Sequence, residues 1–137
     1  MKLVFTPNDM YNTLKPMLYP EEVNVCPVFC VFRDPTLLER CRIIRSGFIS
    51  CTNTGRLLVA KDMGNRWIKE SFMLYTAKKV KINKNIFGQY VIRVNFPGQD
   101  KDIKFKFQIS PKIIGGSFVY QKQNLNQLVN ILSGYVR

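Results

Sequence analysis

Residues 77–109 read AKKVKINKNIFGQYVIRVNFPGQDKDIKFKFQI, and their apolar and polar positions alternate with the two-residue period of strands that have one buried face and one wet face. Val80 and Ile82 alternate with Lys79 and Lys81; Tyr90, Ile92, Val94 and Phe96 alternate with Gln89, Val91, Arg93 and Asn95. Ile103, Phe105, Phe107 and Ile109 alternate with Asp102, Lys104, Lys106 and Gln108. Turn-forming residues at Asn83 to Phe87 and at Pro97-Gly98-Gln99-Asp100 join the runs, which predicts three successive antiparallel strands. One face is apolar and draws Tyr90, Phe96, Phe105 and Phe107 into a core. The other is cationic.

Ahead of this block, Asn8 is placed to cap a short helix over Asp9 to Leu14, with Met10, Tyr11 and Leu14 on one side, and Pro16 interrupts it. Val23 to Phe32 is a nearly unbroken β-branched and aromatic run that reads as a buried strand, in which Pro27 argues for an edge or a bulge. The box Thr36-x-x-Glu39 reads as a helix start with Leu37, Leu38 and Cys41 on its inner face. Ile44 to Cys51 and Arg56 to Lys61 flank Thr52-Asn53-Thr54-Gly55, whose chemistry is that of a hairpin turn with Gly55 at positive φ. Arg66 to Tyr75 is a further strand, with Trp67 buried or packed on the turn and its indole N–H in need of a partner. Past Pro111 and the Gly115-Gly116-Ser117 break, Leu125, Leu128, Val129, Leu132 and Tyr135 recur at helical three-four spacing, a closing amphipathic helix over 119–135.

The order is therefore a short N-terminal helical extension (1–20), seven strands within 21–109 and a capping helix. This is a mostly β, α+β chain whose meander curls into an antiparallel sandwich or partly open barrel, with the last helix hiding core that the strands leave uncovered. A length of 137 residues, 46% of them hydrophobic, suits a single domain over 1–137. No secretory signal and no run of about 18 apolar residues are visible, so the expectation is a soluble or at most peripheral chain in the cytoplasm.

Catalysis finds little support. The chain contains no histidine, so acid-base chemistry at neutral pH and Ser-His or Cys-His pairs have no base, and the acids are scattered. Gly115-Gly116 lacks the Lys-Ser or Lys-Thr of a phosphate loop. Cys26, Cys30, Cys41 and Cys51 read as reduced core thiols, and no second close pair completes a metal site with Cys26 and Cys30. No cofactor or metal is expected, and no small-molecule substrate is inferred. Lys and Arg outnumber Asp and Glu by 21 to 9, a formal charge of +12 that attracts acidic partners. The candidate anion-binding residues are Lys79, Lys81, Arg93, Lys104 and Lys106, on the polar side of the central strands. Arg93 and Lys104 are expected near each other across strands, and such like charges repel unless a counter-anion or salt screens them.

The block GFISCTNTGRLLVAK, Gly47 to Lys61, resembles the glycine, strand, threonine-containing turn and Arg-Leu hairpin of bacterial pleckstrin-homology-like (PH-like) domains. YTAKKVKINKNIFGQYVIRVNF, Tyr75 to Phe96, is similar to the segment that follows in that family. The resemblance spans Glu21 to Tyr135, while Met1 to Pro20 and the turn at Pro35 to Cys41 depart from it. It implies a PH-like barrel and a binding platform without an active site. Three functions follow as expectations: a cytoplasmic module for protein–protein interaction or self-association, a peripheral membrane module reading anionic headgroups, and a small nucleic-acid binder. The last is disfavoured because the aromatics share the core parity instead of standing among the lysines.

Overall fold

The computed structural model describes residues 5–34, 43–113 and 118–136. The expected helix start at Thr36, Cys41 and the Gly115-Gly116 break lie outside them. Helix α1 spans Pro7–Leu14 and a 3-10 turn follows at Lys15–Met17; strands β1 (Val28–Asp34), β2 (Ile43–Cys51), β3 (Arg56–Asp62) and β4 (Trp67–Met73) come next. After a second 3-10 turn at Leu74–Thr76 come β5 (Lys79–Lys84), β6 (Tyr90–Phe96), β7 (Ile103–Ile109) and the closing helix α2 (Gln121–Ser133).

All strand pairings are antiparallel, in the order β4-β3-β2-β1-β7-β6-β5. The meander is therefore interrupted once. β4 does not continue into β5; the chain breaks into the 3-10 turn, where Leu74 is buried and its N–H donates to the Gly55 carbonyl at 2.9 Å. β7 instead pairs with β1 through Val31 and Phe32. The sheet then folds over on itself: Phe72 of β4 stacks on Phe96 of β6 at 4.4 Å and meets Phe105 of β7 edge-on at 5.5 Å. The main core lies between these layers, with Phe32, Ile49, Leu57, Ile92, Phe96, Phe107 and Ile109 fully buried. Tyr90 is half-buried against it.

Helix α2 runs against β1, β2 and β5 and buries Leu125, Leu128 and Leu132 in that core, with Val129 and Tyr135 partly covered, as the spacing predicts. At the β2–β3 turn Gly55 takes φ +84, the left-handed conformation the turn chemistry requires.

Two boundaries differ from expectation. Helix α1 begins two residues earlier, at Pro7, because Thr6 and not Asn8 is its cap. The Asp9 N–H donates to the Thr6 hydroxyl at 3.2 Å, and the Thr6 N–H donates to the Asp9 carboxylate at 2.7 Å. Pro7 sits where its missing N–H loses nothing. Tyr11 is exposed, so only Met10 and Leu14 form the inner side. Strand β1 begins at Val28, after Pro27, and is a central strand bonded on both sides. Val23 to Pro27 contribute only an isolated bridge, Asn24 to Thr52.

Candidate functional site

A second apolar cluster lies on the opposite side of the sheet from the main core. Phe48, Leu58 and Ala60 project outward from β2 and β3 and are covered by Met10 and Leu14 of α1, with Phe5, Phe29, Trp67 and Phe118 around them. Phe48 stacks on Trp67 at 5.5 Å, and Phe5 meets both rings edge-on. This is why β3 is buried at each of its first five positions: both of its faces are dry.

The segment that leads from α1 back to the sheet is fixed by a buried ion pair. Arg56 donates from Nε to Glu22 Oε2 at 3.0 Å and from Nη2 to Glu22 Oε1 at 2.5 Å, a bidentate pair. Its remaining donors reach Ser71 Oγ at 2.7 Å and the Met17 carbonyl at 2.8 Å, and the guanidinium lies 3.8 Å from the centre of the Tyr19 ring. Glu22 also accepts from the Tyr19 N–H at 2.7 Å and from the Thr54 hydroxyl. Both residues are buried. The Arg56 guanidinium, foremost, holds the Glu22 carboxyl far below the usual carboxylate range, against the upward push of burial; the same contact raises Arg56. Glu22 and Arg56 are 34 residues apart; in the sequence Glu22 simply precedes a strand and Arg56 opens one, with nothing that joins them.

Between α1 and the start of α2 runs a cleft of about 630 Å³ lined by α1 (Pro7, Met10, Tyr11, Leu14), by Val23, Asn24 and Pro27, and by Phe118 to Gln121 with Asn124. Tyr11, Val23, Val119 and Tyr120 are exposed. Its floor is set by Gln121, a buried polar side chain that completes β1 where β7 has stopped. Gln121 Oε1 accepts from the Phe29 N–H at 3.0 Å, and its Nε2 donates to the carbonyls of Phe29 at 2.8 Å and Ser110 at 3.1 Å. Asn124 donates to the Pro27 carbonyl at 2.9 Å. Asn24 Oδ1 is buried without a hydrogen-bond partner. In the sequence nothing distinguishes Gln121 or Asn124 from the other polar residues of the closing helix.

The five predicted basic residues do come together on the outer face of β5, β6 and β7. Lys81 stands opposite Arg93, and Arg93 opposite Lys106. Lys79 and Lys104 stand on either side of Asn95. Arg93 is thus diagonal to Lys104, and its direct neighbours are Lys81 and Lys106. Lys78, next to this face, is paired with Asp102 at 3.1 Å. Cys26, Cys30 and Cys51 are free thiols buried in the main core. Cys26 and Cys51 are hydrogen-bonded to each other, and burial pushes the Cys30 thiol well above its ordinary range. Among the described residues no cluster of metal-ligating side chains forms, and no helix is long and apolar enough to cross a membrane.

These features define a mostly β, α+β fold: a seven-stranded antiparallel sheet folded into a partly open barrel, with a helix closing one end and a shorter helix on its outer side. No family model and no curated protein matches the chain. Among solved structures it is similar to the hSac2 domain from human phosphoinositide phosphatase Sac2, with a TM-score of 0.56 and 14% identity over 96% of this chain and 83% of that one. The likeness is one of fold.

Proposed function

We propose that the chain is a non-catalytic, cytoplasmic protein-binding module built on a PH-like barrel, and that it docks an apolar segment of a partner protein in the cleft between α1 and α2. The β1–β7 closure and the terminal helix over the open end support the PH-like reading, and the absence of histidine supports a platform over an enzyme.

The cleft carries the reading. Its walls present Tyr11, Val23, Val119 and Tyr120 to solvent above a floor whose polar groups at Gln121 are already hydrogen-bonded, and tyrosine is a residue type that enriches the centres of protein interfaces. A charge of +12 opposes pairing of two basic faces, so a heterologous, acidic-flanked segment fits better than a second copy.

The test is selection of short peptides from a displayed library on the intact chain, followed by amide chemical-shift mapping. Selected peptides should shift Met10, Asn24 and Tyr120 and lose at least tenfold in affinity for the Tyr11→Asp/Tyr120→Asp variant, as loss of central aromatic anchors does. Both substituted positions are exposed, so the variant keeps its fold. Equal affinity for the variant, or failure to select any peptide, removes the reading.

A further inference from the structure

Ile86 and Phe87, at the tip of the β5–β6 hairpin, are 93% and 79% exposed, and the tip is held firmly. Asn85 Oδ1 accepts from the N–H groups of Phe87 at 2.9 Å and Gln89 at 3.0 Å, and Gly88 turns the chain at φ +80. Asn85 Nδ2 also donates to Gln89 Oε1 at 3.0 Å. Gln108 donates to that same oxygen and itself accepts from Arg33 Nε at 2.7 Å. This polar relay ties the turn to β7 and β1. The chain thus orders two large apolar side chains in water at a convex point, where they bury nothing of their own.

We propose that this tip is a membrane wedge: Ile86 and Phe87 enter the interfacial layer of a bilayer whose anionic headgroups are held by the basic face behind them. The row Lys81, Arg93 and Lys106 begins three residues from the strand end and five from Ile86, about 17 Å from the tip at the rise of an extended chain. With the tip inserted by about 5–10 Å, the row stands about one Debye length from the headgroup layer at ordinary salt, so its charges act on the headgroups. Lys84 flanks the turn itself, its ammonium 5.5 Å from the Tyr90 ring. Weak apolar insertion and weak charge attraction together make a stable reversible anchor where either alone does not.

A convex apolar point backed by cations is complementary to a fluid anionic surface and offers no pocket to a folded partner. Nucleobase stacking would call on a row of aromatics among the lysines; at the tip Phe87 is a single exposed ring, and Phe96, Phe105 and Phe107 are inside. The tip shares no residue with the α1–α2 cleft, so the two readings stand or fall separately.

Co-sedimentation of the intact chain with vesicles decides it. Equimolar phosphatidylserine and phosphatidylcholine should carry the protein down, phosphatidylcholine alone should not, and added salt should release it. Ile86→Ser/Phe87→Ser should weaken partitioning by about tenfold or more, and Lys81→Glu/Arg93→Glu by on the order of thirtyfold. A Phe87→Trp reporter, measured against the Trp67 background, should shift its emission to the blue on binding. No sedimentation with either vesicle overturns the proposal, as does bound Phe87→Trp without a blue shift. Undiminished binding by the tip variant also overturns it, even where the charge variant fails, because the basic face would then act without a wedge.

Discussion

The outer side of β2 and β3 and the outer side of β5, β6 and β7 belong to one continuous sheet, yet one is roofed with aromatic rings and the other is a wet field of ammonium and guanidinium groups. The strands differ accordingly. β3 is buried on both faces, whereas β6 and β7 alternate between buried and accessible positions. What separates the two halves is the N-terminal segment, which lays α1 over the first and leaves the second bare. Substitutions on the outer side should therefore be costly in one half and nearly free in the other.

The sharpest break would be Phe48→Ala. It removes a fully buried ring from the cluster under α1, and about 4 kcal/mol of stability should go with it in urea titration. A loss under 1 kcal/mol would mean that α1 does not cover this face. Glu22→Gln should follow with a loss of about 3 kcal/mol, since it leaves the Arg56 charge buried without its counter-ion. The same pair sets an acid limit. Because Glu22 titrates lower in the folded than in the unfolded chain, its contribution is complete well above the ordinary value of 4.5 and is lost as pH falls below it. Thermal melts from pH 6 to pH 3 should show a descending limb, and that limb should flatten in Glu22→Gln.

Gln121→Ala should cost about 2 kcal/mol by stranding the Phe29 N–H and the Phe29 and Ser110 carbonyls. Hydrogen exchange at the Phe29 amide should accelerate with it. The smallest effect has the opposite sign. Lys81→Glu places an acid opposite Arg93 and should raise the melting midpoint slightly at low salt, a gain that high salt erases. A fall in the midpoint would show that the cationic row is relieved within the protein.

The wet half was the legible one. Where a sheet has water on one side, each side chain declares its face, and Lys79 to Ile109 did so residue by residue. On β2 and β3 the declaration is lost. Phe48 and Ile49 are adjacent and point to opposite sides, each into an apolar cluster, and Leu57-Leu58-Val59-Ala60 is continuous for the same reason. That run was itself the signal that something must roof the far side, though it does not say what. The cap of α1 is not decided locally, because Asn8 and Thr6 are both good caps and the outcome depends on Asp9 reaching back to Thr6. The Glu22–Arg56 pair had no local signature, since long-range pairing of charges is set by the fold. The exchange of a β4–β5 pairing for β7 against β1 is likewise a tertiary choice: burying Leu74 turns the chain out of the sheet before a hairpin can form.

The strand order leaves β4 and β5 as its two free borders, and each carries charge along it: Lys69 and Glu70 on one, Lys79, Lys81 and Lys84 on the other. An unpaired border is a template on which a stranger's strand can add, and three like-charged lysines within its six residues make a copy of the same border a poor guest. Along β5 the lysines thus oppose edge-to-edge addition of a second copy of the same strand.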